Sequence, residues 1–459
     1  MLTSQKEKTA TPLSGAALVD GIRKLLASGK DPAVLRWETE IPTVDPLAWL
    51  AALDPAEYFY WSGREGDPEF AAVGVADQKL IRAMPSGAGS LQAICRLLAG
   101  TNPNVRFFGG FCFDPGNLGA EWNDFGASQF ILPRFELKRT QGKCTLACNI
   151  LASELADRKL CGSITVQWDK MNSLNVSAAS FASPVTILNK REDHPAVGEF
   201  LPLVEKSLQA IAGGRIQKVV LARQTVFHLN GESSPARLTQ KIKAANPRCF
   251  HFCFVPKKGT AFLGASPERL YRREGEHLDT EALAGTRPRG RTPQEDEQLK
   301  KELLGSSKDR HEQKIVAEYI EQNLNIICTT IKAENSQPLQ LTEGQHLCTS
   351  FAAEMKNGIA DAQIIERLHP TPAVAGTPTA KALEIIRSSE PFSRGWYAGG
   401  VGWVAAEAAE FAVGIRSGLL KDRTLALYSG AGIVAGSSPQ QEWDEIENKM
   451  NSLLKALSA

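Results

Sequence analysis

Lys218-Val219-Val220-Leu221-Ala222-Arg223 is a short β-branched and apolar stretch, which is the composition of a central β-strand. Side chains alternate along a strand, so Lys218 lies on the same face as Val220 and Ala222. If its amine is buried there, desolvation favours the neutral form, which can act as a general base. A lysine at a strand end that extends its amine into water fits the same spacing, so the stretch alone leaves both interpretations open.

The chain around this strand divides into two parts at a polar run. Residues 1–14 are polar and are predicted to be a disordered N-terminus, and residues 15–190 form a strand-rich N-terminal part. The polar residues 188–195 are predicted to be a connection, and residues 195–459 form a second part that mixes strands and helices without a regular βαβ rhythm. Examples of predicted elements are the strands 70–75, 105–113, 144–151 and 218–227 and the helix 309–327.

Charge and composition limit the classes of function. The 459 residues include 52 Lys plus Arg against 51 Asp plus Glu, so there is no net field for nucleic acid or an anionic membrane, and a small ligand fits better. The N-terminus lacks a signal-peptide pattern and no segment has eighteen uninterrupted apolar residues, which predicts a cytoplasmic protein that does not span a membrane. The nine cysteines form no zinc pattern and are predicted to be reduced, mostly buried thiols.

Two glutamates stand in positions that suit chemistry. Glu268 follows Ser266-Pro267, where the backbone is held in a fixed shape, and could be an acid in a formed pocket or a solvated loop residue. Glu312 lies on the same face of a predicted helix as Ile315 and Val316, so it points toward the core. A carboxylate so placed needs a cation, which is either an arginine in a structural salt bridge or a hard metal such as magnesium.

The C-terminal region has a helix with charges on one side. Ser438-Pro439-Gln440-Gln441 has the form of a helix start, and Glu442, Glu445 and Lys449 follow at spacings of three and four. This face could hold a metal and an anionic ligand, or it could be an exposed face with ion pairs. The preceding glycine-rich residues 429–436 would let backbone amides approach an anion, but the third glycine comes one residue too late for a dinucleotide fingerprint.

Two further residues are candidates on weaker grounds. Arg416 is a charge inside a predicted strand, residues 411–417, and could bind a planar carboxylate or pair with a surface carboxylate. His369 begins a stiff His-Pro-Thr-Pro turn, where a structural hydrogen bond is more typical than acid or base chemistry.

Taken together, these motifs resemble the chorismate-utilising enzymes in order and spacing. The resemblance is strong over residues 195–457 and extends to residues 108–114 and Trp122. It implies an α+β fold, a single large domain in which antiparallel sheets pack against each other with helices outside. The motifs that carry it are residues 218–223, 264–270, 283–286, 308–312, 369–373, 414–416, 430–432 and 442–449.

The resemblance also implies a role for each matching residue. Lys218 matches the base that activates water for attack at C2 of the ring, and Glu268 matches the acid that protonates the departing C4 hydroxyl. Glu312 and Glu445 match the ligands of Mg²⁺, with Glu442 a possible outer-shell or water-mediated partner. The residues that match substrate contacts are Gly285, Thr286, Ala373, Arg416, Gly430 and Lys449.

Within the family, the residues favour an isochorismate synthase. Anthranilate and aminodeoxychorismate synthases usually carry Gln where this chain has Lys218, and the latter commonly carry a covalent lysine where it has Ala284. Salicylate synthases share Lys218 and Thr286 and go on to eliminate pyruvate, so they are the closest alternative. A non-catalytic relative that binds chorismate or a partner protein is a third possibility. Residues 393–397 look most like enzymes of menaquinone pathways, although the product could also feed siderophore synthesis.

Overall fold

The computed structural model describes residues 14–27, 33–82, 88–174, 187–342 and 344–458. The predicted disordered N-terminus, residues 1–14, lies almost wholly outside the described residues. Within them, the α-helices are α1 Gly15–Ala27, α2 Pro46–Leu53, α3 Ala88–Leu98, α4 Arg158–Asn172, α5 Val197–Ala212, α6 Pro235–Ala245, α7 Pro293–Gly305, α8 Ser307–Ile327, α9 Asp361–Leu368, α10 Thr379–Ser389 and α11 Pro439–Ser458.

The same residues contain long and short strands, and every pairing between them is antiparallel. They are β1 Val34–Ile41, β2 Tyr58–Ser62, β3 Glu69–Ile81, β4 Arg106–Phe111, β5 Ser128–Thr140, β6 Lys143–Leu151, β7 Ile187–His194, β8 Lys218–Leu229, β9 Phe250–Lys257, β10 Thr260–Ser266, β11 Arg269–Glu274, β12 His277–Pro288, β13 Cys328–Ala333, β14 Gln337–Gln340, β15 Gly344–Met355, β16 Gly376–Thr377, β17 Gly400–Ala405, β18 Ala408–Val413, β19 Ser417–Lys421 and β20 Thr424–Ile433.

The long strand β5 divides the sheet into two branches. One edge of β5 pairs with β3, while its other edge pairs first with β4 and then with β6. The first branch continues from β3 through β2, β9, β10, β19 and β20 to β8. The second continues from β4 through β17, β18, β11 and β12 to β15. Strands from before and after residue 195 therefore pair with each other in both branches.

Aromatic side chains fill the space between the two branches. The rings of Phe59 on β2 and Phe108 on β4 lie 5.4 Å apart, and those of Phe254 on β9 and Trp396 lie 5.6 Å apart. Burying each large apolar side chain contributes roughly 1.5–3 kcal/mol. The α+β fold with packed antiparallel sheets, expected from the family resemblance, is confirmed.

Helix α8 shows how the sequence places a functional side chain. Ser306 caps its start by accepting a hydrogen bond from the amide of Asp309 at 3.2 Å. Ile315, Val316 and other apolar residues on one face of the helix are buried against the sheet. Glu312 lies three and four residues before this apolar pair, so the packing of the helix fixes where its carboxylate points.

The predicted strand 218–227 and helix 309–327 are confirmed as β8 and α8. The prediction that residues 188–195 are a connection is wrong, because β7 pairs with β8 along this run. Its polarity suits an edge: Asp193 accepts a hydrogen bond from Thr225 Oγ1 at 2.7 Å, and Arg191 pairs with Glu447. An edge strand needs no buried face, so it lacks the apolar alternation that marks inner strands.

Two predictions from composition can also be compared with the structure. All nine cysteines are free thiols and six of them are buried, which confirms reduced and mostly buried cysteines. Among the described helices, none combines the length and apolar character that a membrane crossing requires.

Candidate active site

A cavity of about 90 Å³ lies where β8, β12 and β20 meet α8 and α11. Its walls combine apolar residues such as Val220 and Leu283 with charged side chains from several elements. Of the ten residues that the resemblance matched to the base, the acid, the metal ligands and the substrate contacts, nine line it. They are Glu268, Gly285, Thr286, Glu312, Ala373, Arg416, Gly430, Glu445 and Lys449.

The remaining predicted residue, Lys218, does not line the cavity but contacts Glu312, which does. It opens β8 opposite Thr377 of β16, and it is completely buried, which excludes the interpretation as a lysine extended into water. Its Nζ lies 2.8 Å from Glu312 Oε1, without the alignment of a hydrogen bond, and has no hydrogen-bond partner among the described residues. Gly432 makes room for this pair, because a Cβ there would collide with the Glu312 carboxylate.

Glu268 occupies the short connection between β10 and β11. It is 3% exposed, and its buried position raises the pKa of its carboxyl to about 8. The negative charge of Glu281 acts in the same direction, and it outweighs the opposing effect of Lys218. The carboxyl is therefore mostly protonated near pH 7 and can act as a proton donor in the cavity.

A β-bulge shapes one wall of the site. The register between β12 and β15 shifts between Ala284 and Thr286, and Gly285 at the bulge has φ +68°. Only glycine adopts this conformation readily, and a Cβ there would also press against Asp309. The bulge turns the Gly285 carbonyl toward His346, which stands opposite Thr286 on β15.

His346 is a site residue that the sequence reasoning missed. Its Nδ1 lies 3.1 Å from the Gly285 carbonyl oxygen, which can only accept, so Nδ1 carries the proton. Burial lowers the pKa of the ring to about 3, with the charges of Arg416 and Lys449 acting in the same direction. The ring is neutral at physiological pH, and its buried Nε2 is an acceptor with no partner among the described residues.

Two cations mark the part of the cavity suited to an anion. The prediction that Arg416 lies in a strand is wrong: it occupies the turn between β18 and β19, with φ +50°. A non-glycine residue in this conformation is strained, a condition that recurs at functional sites. Lys449 on α11 lies 2.6 Å from Glu445 Oε1 and donates to the Gly430 carbonyl at 3.0 Å.

The acidic residues fit a hard divalent cation. Glu312 and Glu445 line the same cavity, and magnesium usually takes one or two protein carboxylates and completes its shell with water or substrate oxygens. No three His, Cys, Asp or Glu side chains of the described chain form a ready-made metal cage. Glu442 does not line the cavity; its Oε1 lies 2.5 Å from Lys308, and its buried Oε2 has no partner among the described residues.

The remaining residues fall into two groups: a candidate that lies outside the cavity and two aromatic residues that line it. His369 does not line the cavity; its Nε2 lies 3.3 Å from the Phe113 carbonyl oxygen, and burial lowers its pKa to about 4, as expected of a structural histidine. Tyr397 and Tyr428, which sequence reasoning did not assign to the site, line the cavity with stacked rings 5.2 Å apart.

Known proteins are similar to this chain along nearly its whole length. Residues 20–458 match the family model described as chorismate binding enzyme. The chain is 33% identical over 420 residues to isochorismate synthase MenF of Escherichia coli (strain K12), covering 89% of this chain and 90% of that protein. It is 32% identical to the MenF of Pasteurella multocida (strain Pm70), with 93% and 94% covered. The solved structure of the menaquinone-specific isochorismate synthase MenF from Escherichia coli superimposes with a TM-score of 0.82 at 30% identity, covering 96% of this chain and 100% of that one.

Proposed function

This chain belongs to the chorismate-binding enzymes, and from that premise we propose that it is an isochorismate synthase, an isomerase that converts chorismate to isochorismate. The observation that carries the proposal is that a base, an acid and two cations meet at one cavity. Lys218 is buried beside it, and Glu268 lines it as a mostly protonated acid. Arg416 and Lys449 line it as cations that can bind the carboxylates of the substrate.

Substrate binding is the first task of these residues. Arg416 and Lys449 supply positive charge for a dianion, and a guanidinium matches a planar carboxylate through two parallel hydrogen bonds. Gly285, Thr286, Ala373 and Gly430 provide the close walls that hold the ring in one orientation.

The reaction then needs a base and an acid. Lys218 takes a proton from water, and the water oxygen forms a bond to C2 of the ring. The ring double bonds shift, the C4–oxygen bond breaks, and the leaving hydroxyl takes a proton from Glu268 and departs as water. One water enters and one leaves. The cycle closes when a proton passes from the ammonium of Lys218 to the carboxylate of Glu268.

Glu312 and Glu445 are proposed to hold Mg²⁺, which would neutralise and orient a substrate carboxylate. Glu312 therefore has two neighbours in the proposal, since its carboxylate also contacts Lys218. The cycle requires Lys218 to act as the neutral amine, because only that form has a lone pair to accept a proton.

The residues also argue against other reactions of the family. Ala284 lines the cavity and offers no amine for a covalent intermediate, and Lys218 supplies the base that an ammonia-using enzyme does not need. The relatives are named isochorismate synthases, so salicylate formation and a non-catalytic role are not favoured.

The destination of the product is proposed from the relatives. The structure with a TM-score of 0.82 is described as menaquinone-specific, which supports menaquinone biosynthesis over a siderophore pathway. A reducing compartment such as the cytoplasm is the proposed location, supported by nine free thiols.

The test is a product assay. Purified protein is incubated with chorismate and magnesium, and the mixture is separated by chromatography beside a sample without protein. We expect isochorismate. Salicylate with pyruvate would assign the chain to the alternative activity, and unreacted chorismate alone would contradict catalysis.

A further inference from the structure

A second cavity, of about 500 Å³, is lined in part by Arg269, the residue after Glu268, and shares no lining residue with the active-site cavity. Side chains from β3, β4, β5 and β17 line one part of it, which we call the back wall. Residues of β11 and of the connection between β2 and β3 line another part, which we call the rim. No residue of this cavity takes part in the mechanism above. We call it the arginine cavity, after Arg64, Arg106, Arg269, Arg272 and Arg273, which line it.

Arg106 presents a buried cation to this cavity. Arg106 is 5% exposed, and its guanidinium packs over the rings of Phe70 and Trp403, at 4.4 and 5.4 Å from their centroids. Its Nε donates to the Asn104 carbonyl at 3.2 Å, and its nearest carboxylate oxygen, on Glu136, is 3.4 Å away. That carboxylate is also bound by Arg36, whose guanidinium has a second carboxylate partner in Glu38.

Two other donors at the back wall, unlike Arg106, have no acceptor among the described residues. Lys138, on the strand beside Phe70, makes no ion pair or hydrogen bond with the described residues, and burial together with the charge of Arg106 lowers its pKa. The buried indole Nε1 of Trp403 also has no acceptor in the described part of the chain. A buried donor without an acceptor costs about 1–3 kcal/mol, so the Trp403 Nε1, with the cations of Arg106 and Lys138 lining the same cavity, favours an anionic ligand.

The acids that line the arginine cavity do not satisfy this wall. Glu274 pairs with Arg272, and Glu410 lies 3.4 Å from Arg269. Asp67 accepts a hydrogen bond from the Gln141 amide at 3.1 Å. None of the acids at the rim has an ion pair with Arg106 or Lys138 within the described residues, so the anions that act on these two cations are Glu136 and Glu38.

The rim of the arginine cavity is connected directly to the catalytic acid. Arg64 donates to the Pro267 carbonyl at 2.6 Å and pairs with Glu281. Glu281 also accepts from the Arg269 amide at 2.7 Å, and Arg269 follows Glu268 in the chain. Glu281 contributes to the raised pKa of Glu268, so movement of Arg64 or Arg269 changes both the position and the protonation of the acid.

We propose that the arginine cavity binds a small carboxylate or phosphate anion and that its occupancy changes the rate of the reaction at Glu268. The ligand accepts hydrogen bonds from Arg106, Lys138 and Trp403, and its charge draws the guanidinium of Arg64 away from Glu281. The kinetic part of this inference rests on the proposed function, whereas the binding part does not.

Binding is tested by calorimetry without chorismate or metal, with inorganic phosphate and malonate as separate probes at constant ionic strength. The variants are Lys138→Met, the exposed control Lys190→Met, and Lys449→Met, which weakens anion binding in the active site. We expect wild type, Lys190→Met and Lys449→Met to bind alike and Lys138→Met to bind at least about tenfold more weakly. A preference for one probe identifies the class of ligand. Should Lys138→Met fail to fold, Lys138→Gln replaces it.

Absence of binding to wild type, equal affinity in Lys138→Met, or loss only in Lys449→Met would overturn the site. Rates are then measured with chorismate at increasing concentrations of the probe that binds. We expect at least a twofold change in kcat/KM for wild type and Lys190→Met, and none for Lys138→Met. An unchanged wild-type rate at saturation overturns the coupling. Absence of any turnover contradicts the proposed function and leaves the calorimetric result standing.

Discussion

Replacing Glu268 with glutamine should remove activity and at the same time stabilise the protein. The carboxyl has a pKa of about 8 in the folded chain against a reference value of 4.5. Between these values the folded state keeps a proton that the unfolded state has lost, so the contribution of this group to stability is greatest below pH 4.5 and is lost as the pH rises to 8. At pH 7 the raised pKa of Glu268 lowers the free energy of unfolding by about 3 kcal/mol relative to its value below pH 4.5.

Glutamine does not ionise in the folded or the unfolded state, so the variant avoids this loss of stability. For a chain of 459 residues, about 3 kcal/mol corresponds to a rise in Tm of about 3 °C. The gain should be under about 1 kcal/mol at pH 5 and about 5 kcal/mol at pH 8.5. Turnover should fall by about 10²- to 10⁴-fold, because glutamine cannot protonate the leaving hydroxyl.

The assay is thermal unfolding of wild type and Glu268→Gln from pH 5 to 8.5, with exposed Glu274→Gln as the matched control, alongside chromatographic rates. In wild type, kcat should decline above about pH 8 as the acid loses its proton. A stability gain that is the same at pH 5 and pH 8.5 would refute the buried, protonated carboxyl. Near-normal turnover of Glu268→Gln would refute its role as the acid.

Three other changes test the remaining parts of the site. Lys218→Ala should lose turnover by about 10²-fold or more while circular dichroism shows an intact fold, and a rate within about tenfold of wild type would contradict its role as base. Excess chelator should stop the reaction and added magnesium should restore it; activity that persists in chelator removes the metal from the mechanism. Gly432→Ala should displace the Glu312 carboxylate and lower kcat by about 10²-fold with little change in Tm, because the group that must move is the end of a flexible side chain. Gly162→Ala, where a Cβ meets nothing, is the control, and equal rates in the two variants would contradict the packing argument.

The sequence predicted the residues whose spacing belongs to one element. Glu312 on α8 and the pair Glu445 and Lys449 on α11 reach the cavity because helical periodicity places each of them on a defined face. The pattern of its strand did not decide whether Lys218 is buried, because its burial depends on the elements that surround the strand.

Residues whose placement depends on pairing between distant segments could not be predicted. His346 enters the site because a bulge at Gly285 sets the register of β12 against β15, and no local signal reports that register. Arg416 was assigned to a strand because its neighbours are apolar, but the chain turns there with a positive φ. The edge strand β7 was missed because its stability comes from its partner β8 and not from its own composition.

The pairing of β4 with β17 has a consequence for biosynthesis. Phe111 meets its partner Gly400 roughly 290 residues later in the chain. A ribosome adding about 5–20 residues per second needs about 15–60 s to deliver that partner. During this interval the nascent N-terminal strands expose unpaired backbone that can join neighbouring polypeptides. Substitutions that weaken β4 or β17 should therefore reduce the yield of protein from cells more than they reduce the specific activity of the molecules that survive.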